Sequence, residues 1–187
     1  AGEASFDAGS QPPGHVPADV GGQVTLRIFA SLKPVIAAIN GPSAGIGVTM
    51  TLPADMRIAS DDARFGFVFT RRGLVPEAAS SWFLPRLIGL PTALRWTMGG
   101  QMVSAEEALK HDLVQHVVPK DEILEFAIAQ AEALTEGTAP VSVALTRQLL
   151  WKMAGAPHPF TAHVADSRAI FYRGTMPDVA EGGGAEA

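Results

Sequence analysis

The stretch Lys33-Pro-Val-Ile-Ala-Ala-Ile-Asn-Gly-Pro-Ser-Ala-Gly-Ile-Gly47 decides the fold of this chain. Residues 35–39 are apolar at five successive positions, which is typical of a strand that is buried on both faces. Asn40-Gly41-Pro42 then indicates a turn. The small, uncharged residues 44–52 predict a buried helix that the chain enters through Gly45 and Gly47. The order is therefore strand, glycine-rich turn and helix.

This order of elements also predicts a place where negative charge is stabilised. The first amides of a helix have no partner within the helix, and they point toward the same spot as the positive end of its dipole. A dinucleotide fingerprint is excluded because Val48, Thr49 and Met50 follow Gly45-Ile46-Gly47 without a third glycine. The stretch also lacks the lysine of a phosphate-binding loop. A dinucleotide or nucleoside triphosphate is therefore not expected here.

Gly41-Pro42-Ser43-Ala44-Gly45 matches the G-x-S-x-G pattern of a serine hydrolase. On this interpretation Ser43 is a nucleophile that attacks an ester. Asp112 or Asp166 and His158 or His163 are candidates for the rest of the triad, although their spacing is not distinctive. The alternative is a glycine-proline turn in which Ser43 is a small polar filler. Both remain open at this point.

Outward from this stretch, the chain alternates short strands and helices before it becomes entirely helical. Strands are predicted at residues 56–59, 63–67 and 116–118, and helices at residues 23–30, after Ser80 or Ser81, from Pro91 and after Ser104. Helices alone are predicted from residue 121 onward. We therefore expect a flexible loop over residues 1–22, an α/β core over residues 23–120 and a helical region over residues 121–187.

Composition excludes several classes of protein. The chain has 187 residues and a formal net charge of −5, which argues against a nucleic-acid partner. No stretch approaches the length of a membrane span, so we expect no membrane partner. Cysteine is absent, which is compatible with a cytoplasmic protein and excludes thiolate chemistry. The five histidines form no metal-binding pattern, so no metal is expected.

Taken together, several motifs resemble the crotonase superfamily, the enoyl-CoA hydratase/isomerase group. The likeness rests on residues 33–41, 44–47, 55–59, 63–66 and 99–113, in the right order, and it extends over residues 23–181. It implies a spiral of β-β-α units with a C-terminal helical region that trimerises, giving a homotrimer or a dimer of trimers. It also implies an acyl-CoA thioester as substrate, with no cofactor other than the coenzyme A of that substrate. The N-terminal part of that fold has no match here.

The resemblance also assigns roles to residues. It implies that the Ile46 backbone N–H is an oxyanion-hole donor, and that Gly45, Gly47, Phe67, Phe69 and Trp82 line the substrate site. The two glutamates that hold water in hydratases correspond to Thr49 and Phe69, neither of which can take up a proton. Glu77, in Pro76-Glu77-Ala78, instead resembles the single catalytic glutamate of monofunctional Δ3,Δ2-enoyl-CoA isomerases.

The sequence therefore leaves three candidate functions open. The first is an enoyl-CoA isomerase that uses Glu77 as acid and base, with enoyl-CoA hydratase as the alternative within the same family. The second is a serine esterase that uses Ser43. The third is a non-catalytic acyl-CoA binder, because the segment that supplies the other oxyanion amide in the family has no match. Taken alone, Glu77 could also be a solvated acid in the first turn of a helix.

Overall fold

The computed structural model describes residues 19–175, which form eight helices and six strands. The helices are α1 (Val20–Phe29), α2 (Ile46–Thr49), α3 (Ser80–Ile88), α4 (Leu90–Gly99), α5 (Ala105–Lys110), α6 (Ile123–Ala133), α7 (Pro140–Met153) and α8 (Pro159–Gly174). The strands are β1 (Ile36–Ile39), β2 (Pro42–Ala44), β3 (Met56–Ser60), β4 (Arg64–Gly66), β5 (Met102–Ser104) and β6 (His116–Val118). A 3-10 turn covers Thr70–Arg72.

The strands form two small sheets, and the chain passes repeatedly from one to the other. One sheet has the order β1-β3-β6 and is parallel throughout. The other has the order β2-β4-β5, with β2 and β4 parallel and β4 and β5 antiparallel. Each step from β1 to β2, and from β3 to β4, changes sheet within a few residues. This is the spiral of short strands that the resemblance implied.

Two expectations about the opening stretch are corrected. The helix predicted at residues 44–52 is reduced to α2, because Ala44 belongs to β2 and pairs with Gly66 of β4. The strand predicted at residues 35–39 is present as β1, but it is not buried on both faces. β1 lies at the edge of its sheet, and Ala38 is exposed.

Helix α1 begins at Val20, three residues before the start predicted for it. Its N-cap is Asp19, whose carboxylate accepts a hydrogen bond from the Gly22 amide, the interaction that makes aspartate a favoured cap. The flexible loop predicted for residues 1–22 is therefore wrong for residues 20–22. Residues 1–18 of that loop lie outside the described residues.

Aromatic and aliphatic side chains from both sheets and from α3 to α5 form the main core. Phe65, Phe67, Leu52 and Trp96 are among its largest fully buried members. Arg57 is also buried there, and its guanidinium donates to the carbonyl oxygens of Leu113, Leu52 and Ala54 at 2.6, 3.1 and 2.6 Å. Burial lowers the pKa of Arg57 to about 10.

A second buried arginine connects helix α7 to the parallel sheet and to the end of α1. Arg147 Nε donates to Asp55 Oδ2 at 2.6 Å. Its other nitrogens donate to the carbonyl oxygens of Ile28, Phe29 and Ser31, at 2.6 to 3.0 Å. Asp55 also accepts from the Val35 amide and from Trp151 Nε1. Arg147 therefore satisfies the carbonyl of Phe29 at the end of α1 and that of Ser31 just beyond it, and it adds a second hydrogen bond to the Ile28 carbonyl, which already accepts from the Ser31 amide.

This network gives a prediction about stability. Replacing Arg147 with methionine leaves the partly buried Asp55 carboxylate without its cation and removes the hydrogen bonds to the carbonyl groups, so we expect a loss of about 1–3 kcal/mol in the free energy of unfolding. Chemical denaturation measures it, with Arg168→Met as the control because Arg168 is exposed on α8. Equal stabilities for the two variants would show that Arg147 does not join these elements.

The helical region predicted from residue 121 is present as α6, α7 and α8. Helix α8 exposes large apolar side chains, including Phe160, Ile170 and Phe171. Trimerisation through this region, expected from the resemblance, stays a prediction. Within residues 19–175, no helix combines the length and the apolar character that crossing a membrane requires.

Candidate functional site

The turn between β2 and α2 presents a free backbone amide. Gly45 has φ 57° and ψ −126°, a conformation that favours glycine, and its amide donates to Gly66 O at 3.0 Å. Ile46 opens α2, and among residues 19–175 its amide hydrogen has no acceptor. A Cβ at Gly45 would face open space. The Ile46 N–H is therefore available to a ligand that approaches over Gly45.

The Glu77 carboxyl lies beside α2, close to Ile46. Thr49 Oγ1, on the last residue of α2, donates to Glu77 Oε1 at 2.5 Å. A Cβ added at Gly21 of α1 would overlap both Glu77 Oε2 and Ile46 Cδ1, so one glycine faces both side chains. The structure therefore brings together two of the residues that the resemblance singled out. Thr49, which replaces a hydratase glutamate by that resemblance, contacts the acid directly.

Strained backbone follows Glu77 immediately. Ala78 and Ala79 have φ values of 57° and 54°, a left-handed conformation that costs a residue with a Cβ about 1–2 kcal/mol. The Ala78 amide donates to Asp19 Oδ1 at 3.2 Å, and Ser80 Oγ donates to Glu77 O at 2.6 Å. These contacts fix the Glu77 backbone from two sides. Strain of this kind is concentrated at functional sites.

The N-terminus of α3 differs from the prediction. A serine side chain was expected to cap this helix, but the N-cap is Ala79 and makes no side-chain cap hydrogen bond. The Ser80 hydroxyl instead binds the Glu77 carbonyl, because the left-handed turn at Ala78 and Ala79 places that carbonyl within reach. The serine therefore supports the loop that carries Glu77.

The environment of Glu77 raises the pKa of its carboxyl above the ordinary value. Burial is the largest cause, since it disfavours the charged form. The hydrogen bond from Thr49 acts in the opposite direction, while the charge of Asp19 and a hydrogen bond with it raise the pKa further. A raised pKa is the direction that suits a carboxylate acting as a base near neutral pH.

Sequence reasoning missed Asp19 and Gly21, which both contact the site. A signal for them was present, because Asp19 stands just before Val20-Gly21-Gly22 and aspartate is a preferred N-cap. Because the helix was predicted to start at residue 23, Asp19 was not identified as its N-cap. Nothing local in the sequence shows that α1 would pack against Glu77.

The aromatic residues that the resemblance places in the substrate site, Phe67, Phe69 and Trp82, lie in packed surroundings in the structure. Phe67 is fully buried and stacks on Trp96 in the core, with ring centroids 6.0 Å apart. Trp82 belongs to an aromatic cluster with Phe29 and Phe83 and lies under the Arg86 guanidinium, 4.0 Å from its ring centroid. Both have packing partners of their own, and their place in the lining of the substrate site stays a prediction. Phe69 is buried at the start of the 3-10 turn.

Ser43 does not have the surroundings of a hydrolase nucleophile. It lies within β2, opposite Phe65 of β4, and its φ is not positive, whereas a nucleophile elbow holds its serine on a strained turn after the strand. Among residues 19–175, no histidine bonds to its hydroxyl. Gly47 lies beside it, since a Cβ there would be 3.4 Å from Ser43 Oγ. Ser43 is therefore a small, buried polar residue of β2, and its surroundings do not support the nucleophile interpretation.

Over residues 19–175, no three His, Asp or Glu side chains converge as metal ligands would. In the described part of the chain the site therefore offers the free Ile46 amide, the Glu77 carboxyl with its raised pKa and the Thr49 hydroxyl that donates to it.

Comparison with known proteins gives a consistent result. The family described as enoyl-CoA hydratase/isomerase matches residues 18–172. Enoyl-CoA hydratase ACTT3 of Alternaria alternata is 41% identical over 165 residues, which are 88% of this chain and 55% of that protein. (E)-benzylidenesuccinyl-CoA hydratase of Thauera aromatica is 37% identical over 156 residues, 79% of this chain and 60% of that protein. The chain thus spans little more than half the length of these curated relatives.

Solved structures agree with the sequence relatives. The enoyl-CoA hydratase of Bacillus anthracis aligns with a TM-score of 0.81 at 32% identity, covering 87% of this chain and 62% of that one. The enoyl-CoA hydratase/isomerase of Cupriavidus metallidurans CH34 aligns with a TM-score of 0.78 at 30% identity, covering 83% and 58%. The α/β spiral is therefore shared with both.

Proposed function

The chain belongs to the enoyl-CoA hydratase/isomerase family, and on that premise we propose that it acts on an acyl-CoA thioester, moving the double bond of a 3-enoyl-CoA to the 2-position. One observation carries this proposal. The Glu77 carboxyl and the Ile46 side chain both lie against the same α1 glycine, Gly21, and Ile46 also carries the free amide at the start of α2, so that a carboxyl and a hydrogen-bond donor belong to neighbouring residues.

The chemistry needs only these two groups from the chain. The thioester oxygen accepts the Ile46 N–H, while ionised Glu77 removes a proton from C2. The electron pair of that C–H bond moves onto the thioester oxygen, giving a dienolate. Protonated Glu77 then returns the proton at C4, and the double bond closes between C2 and C3. A positioned amide stabilises such an oxyanion by about 3–4 kcal/mol.

The neighbours of Glu77 support a one-carboxylate reaction. In hydratases, by resemblance, two glutamates hold the water that is added. Here Thr49 occupies one of those positions and donates its hydroxyl to Glu77. The other position is Phe69, which is buried and has no proton to give. Glu77 is the carboxyl that remains in the expected place, with a pKa raised mainly by burial.

Hydration is the second candidate, and two observations favour it. Two of the proteins compared above are called enoyl-CoA hydratases, and a third is called a benzylidenesuccinyl-CoA hydratase. In addition, Asp19 places a second carboxyl next to Glu77, and water addition uses one group to activate water and one to deliver a proton. The two reactions differ in their products, so that an assay separates them.

The test is a pair of assays on the protein with a 3-enoyl-CoA and with crotonyl-CoA. We expect the 3-enoyl-CoA to give the conjugated 2-enoyl-CoA faster than crotonyl-CoA gives the 3-hydroxyacyl-CoA. The reason is that Thr49 of α2 holds a single carboxyl, that of Glu77. Chromatography of the thioesters measures both rates. Rapid hydration without double-bond migration, above all if it survives Glu77→Gln, would overturn isomerisation in favour of hydration.

A further inference from the structure

We propose that Asp19 is a positioning residue for Glu77, holding the loop behind the acid and placing a second carboxyl against it. This inference rests on the proposed role of Glu77. It concerns a residue at the start of α1, outside the motifs that carry the family resemblance, and it adds a contact that those motifs do not contain.

The hydrogen bonds of Asp19 connect two distant parts of the chain. Asp19 Oδ1 accepts from the Gly22 amide, which starts α1, and from the Ala78 amide at 3.2 Å, across 59 residues of sequence. Ala78 is the first of the two strained residues behind Glu77. One carboxylate oxygen therefore caps the helix and also anchors the strained loop.

The first turn of α1 leaves space for the acid. Gly21 is buried, and a Cβ there would overlap Glu77 Oε2 and Ile46 Cδ1. Its φ is not in the left-handed region, so the requirement for glycine is one of space. α1 therefore docks with its backbone directly against the carboxyl, and Asp19 fixes that docking at the helix end.

The charge of Asp19 acts on the same carboxyl. The groups that face Glu77 come from α1, α2 and its own loop: Asp19, Gly21, Ile46, Thr49 and Ala78. Among residues 19–175, Asp19 is the one charged side chain that shifts Glu77, and it acts in the direction that burial does. Two carboxyl groups in contact resist simultaneous ionisation, so Asp19 favours the protonated form of Glu77.

The experiment compares Asp19→Asn with the unchanged protein. Asparagine caps a helix as well as aspartate and keeps an oxygen for the Ala78 amide, so stability should hold while the charge is lost. We expect the pKa of Glu77, followed by ¹³C NMR of its carboxyl, to move down. The acid limb of the kcat/KM profile against pH should move down with it, since Glu77 must be ionised to act as base.

Two outcomes would overturn the proposed role of Asp19, and both can be distinguished from a result that overturns the proposed role of Glu77. An unchanged Glu77 pKa in Asp19→Asn would show that Asp19 is only a helix cap. An unchanged pH profile, with Glu77→Gln still inactive, would show the same by kinetics. If instead the Glu77 pKa moves down while Glu77→Gln retains full turnover, Asp19 positions Glu77 but Glu77 is not the acid/base.

Gly21→Ala tests the docking by a separate route. The added methyl group must displace Glu77 or Ile46, so we expect kcat to fall by roughly 10- to 100-fold, the loss that follows a displacement of about 1 Å. Gly174→Ala is the matched control, because nothing lies within 4 Å of a Cβ at that position. An unchanged kcat in a folded Gly21→Ala protein would contradict the packing of α1 against Glu77.

Discussion

Glu77→Gln is expected to reduce kcat for isomerisation of a 3-enoyl-CoA by roughly 10²- to 10⁴-fold, the contribution typical of a positioned acid/base. Glutamine has nearly the same shape as glutamate and keeps an oxygen for the Thr49 hydroxyl, so the site should stay assembled. What it loses is the ability to take a proton from C2 and return it at C4. Steady-state kinetics with Glu125→Gln as control measures the effect, since Glu125 is exposed on α6.

The stability of Glu77→Gln separates lost chemistry from lost folding. Because the pKa of Glu77 is raised in the folded protein, its ionised form costs stability at pH values above that pKa. The cost disappears as the pH falls through the pKa of the unfolded chain. The variant should therefore be at least as stable as the parent at neutral pH, with the difference lost in acid. Full turnover in this variant would remove Glu77 from the mechanism.

Ile46→Pro is expected to lower kcat by about 10²- to 10³-fold, the loss that follows removal of one oxyanion donor. Proline has no backbone N–H, and it is tolerated in the first turn of a helix, where Ile46 lies. Gly45, the residue before it, has no Cβ to meet the proline ring. The substitution therefore removes the hydrogen-bond donor and leaves the course of the chain unchanged.

The control for this variant is Ile46→Ala. Alanine removes the side chain that faces Gly21 and keeps the amide, so any effect of the side chain appears in both variants. We expect Ile46→Ala to retain most of the parent kcat. Equal losses in the two variants would show that the Ile46 side chain matters and its amide does not.

The local pattern of apolar residues predicts most of the strands, but it does not predict which strand faces are buried. The apolar run at residues 35–39 predicts a strand, and β1 is present, because a short β-branched run before a turn has few other solutions. Whether both faces are covered depends on neighbouring elements, and β1 lies at the sheet edge. The prediction of a helix over residues 44–52 was wrong at its start for a related reason. Ala44 pairs with Gly66 in the second sheet, and a local pattern does not show a pairing between residues so far apart in the chain.

The residues of the candidate site also fall into two groups, those that a sequence motif reveals and those that depend on long-range packing. Ile46 and Glu77 could be found because they lie in motifs that resemble those of a family. The sequence signals Asp19 only as a helix cap, because the contact of Asp19 and Gly21 with the Glu77 segment arises from packing between parts of the chain 59 residues apart. The resemblance places Phe67 and Trp82 at the site, and it does not show that Phe67 stacks on Trp96 or that Trp82 meets Phe83 edge to face, because both contacts depend on packing in the folded chain.

The most direct test of the account is a crystal structure of the protein with an unreactive acyl-CoA analogue. The account predicts the thioester oxygen about 2.7–3.1 Å from Ile46 N. It also predicts C2 about 3–3.5 Å from a Glu77 carboxyl oxygen, the separation of a near-attack complex. A thioester bound away from the Gly45 turn, or a Glu77 side chain turned into solvent with its carboxyl remote from C2, would contradict it.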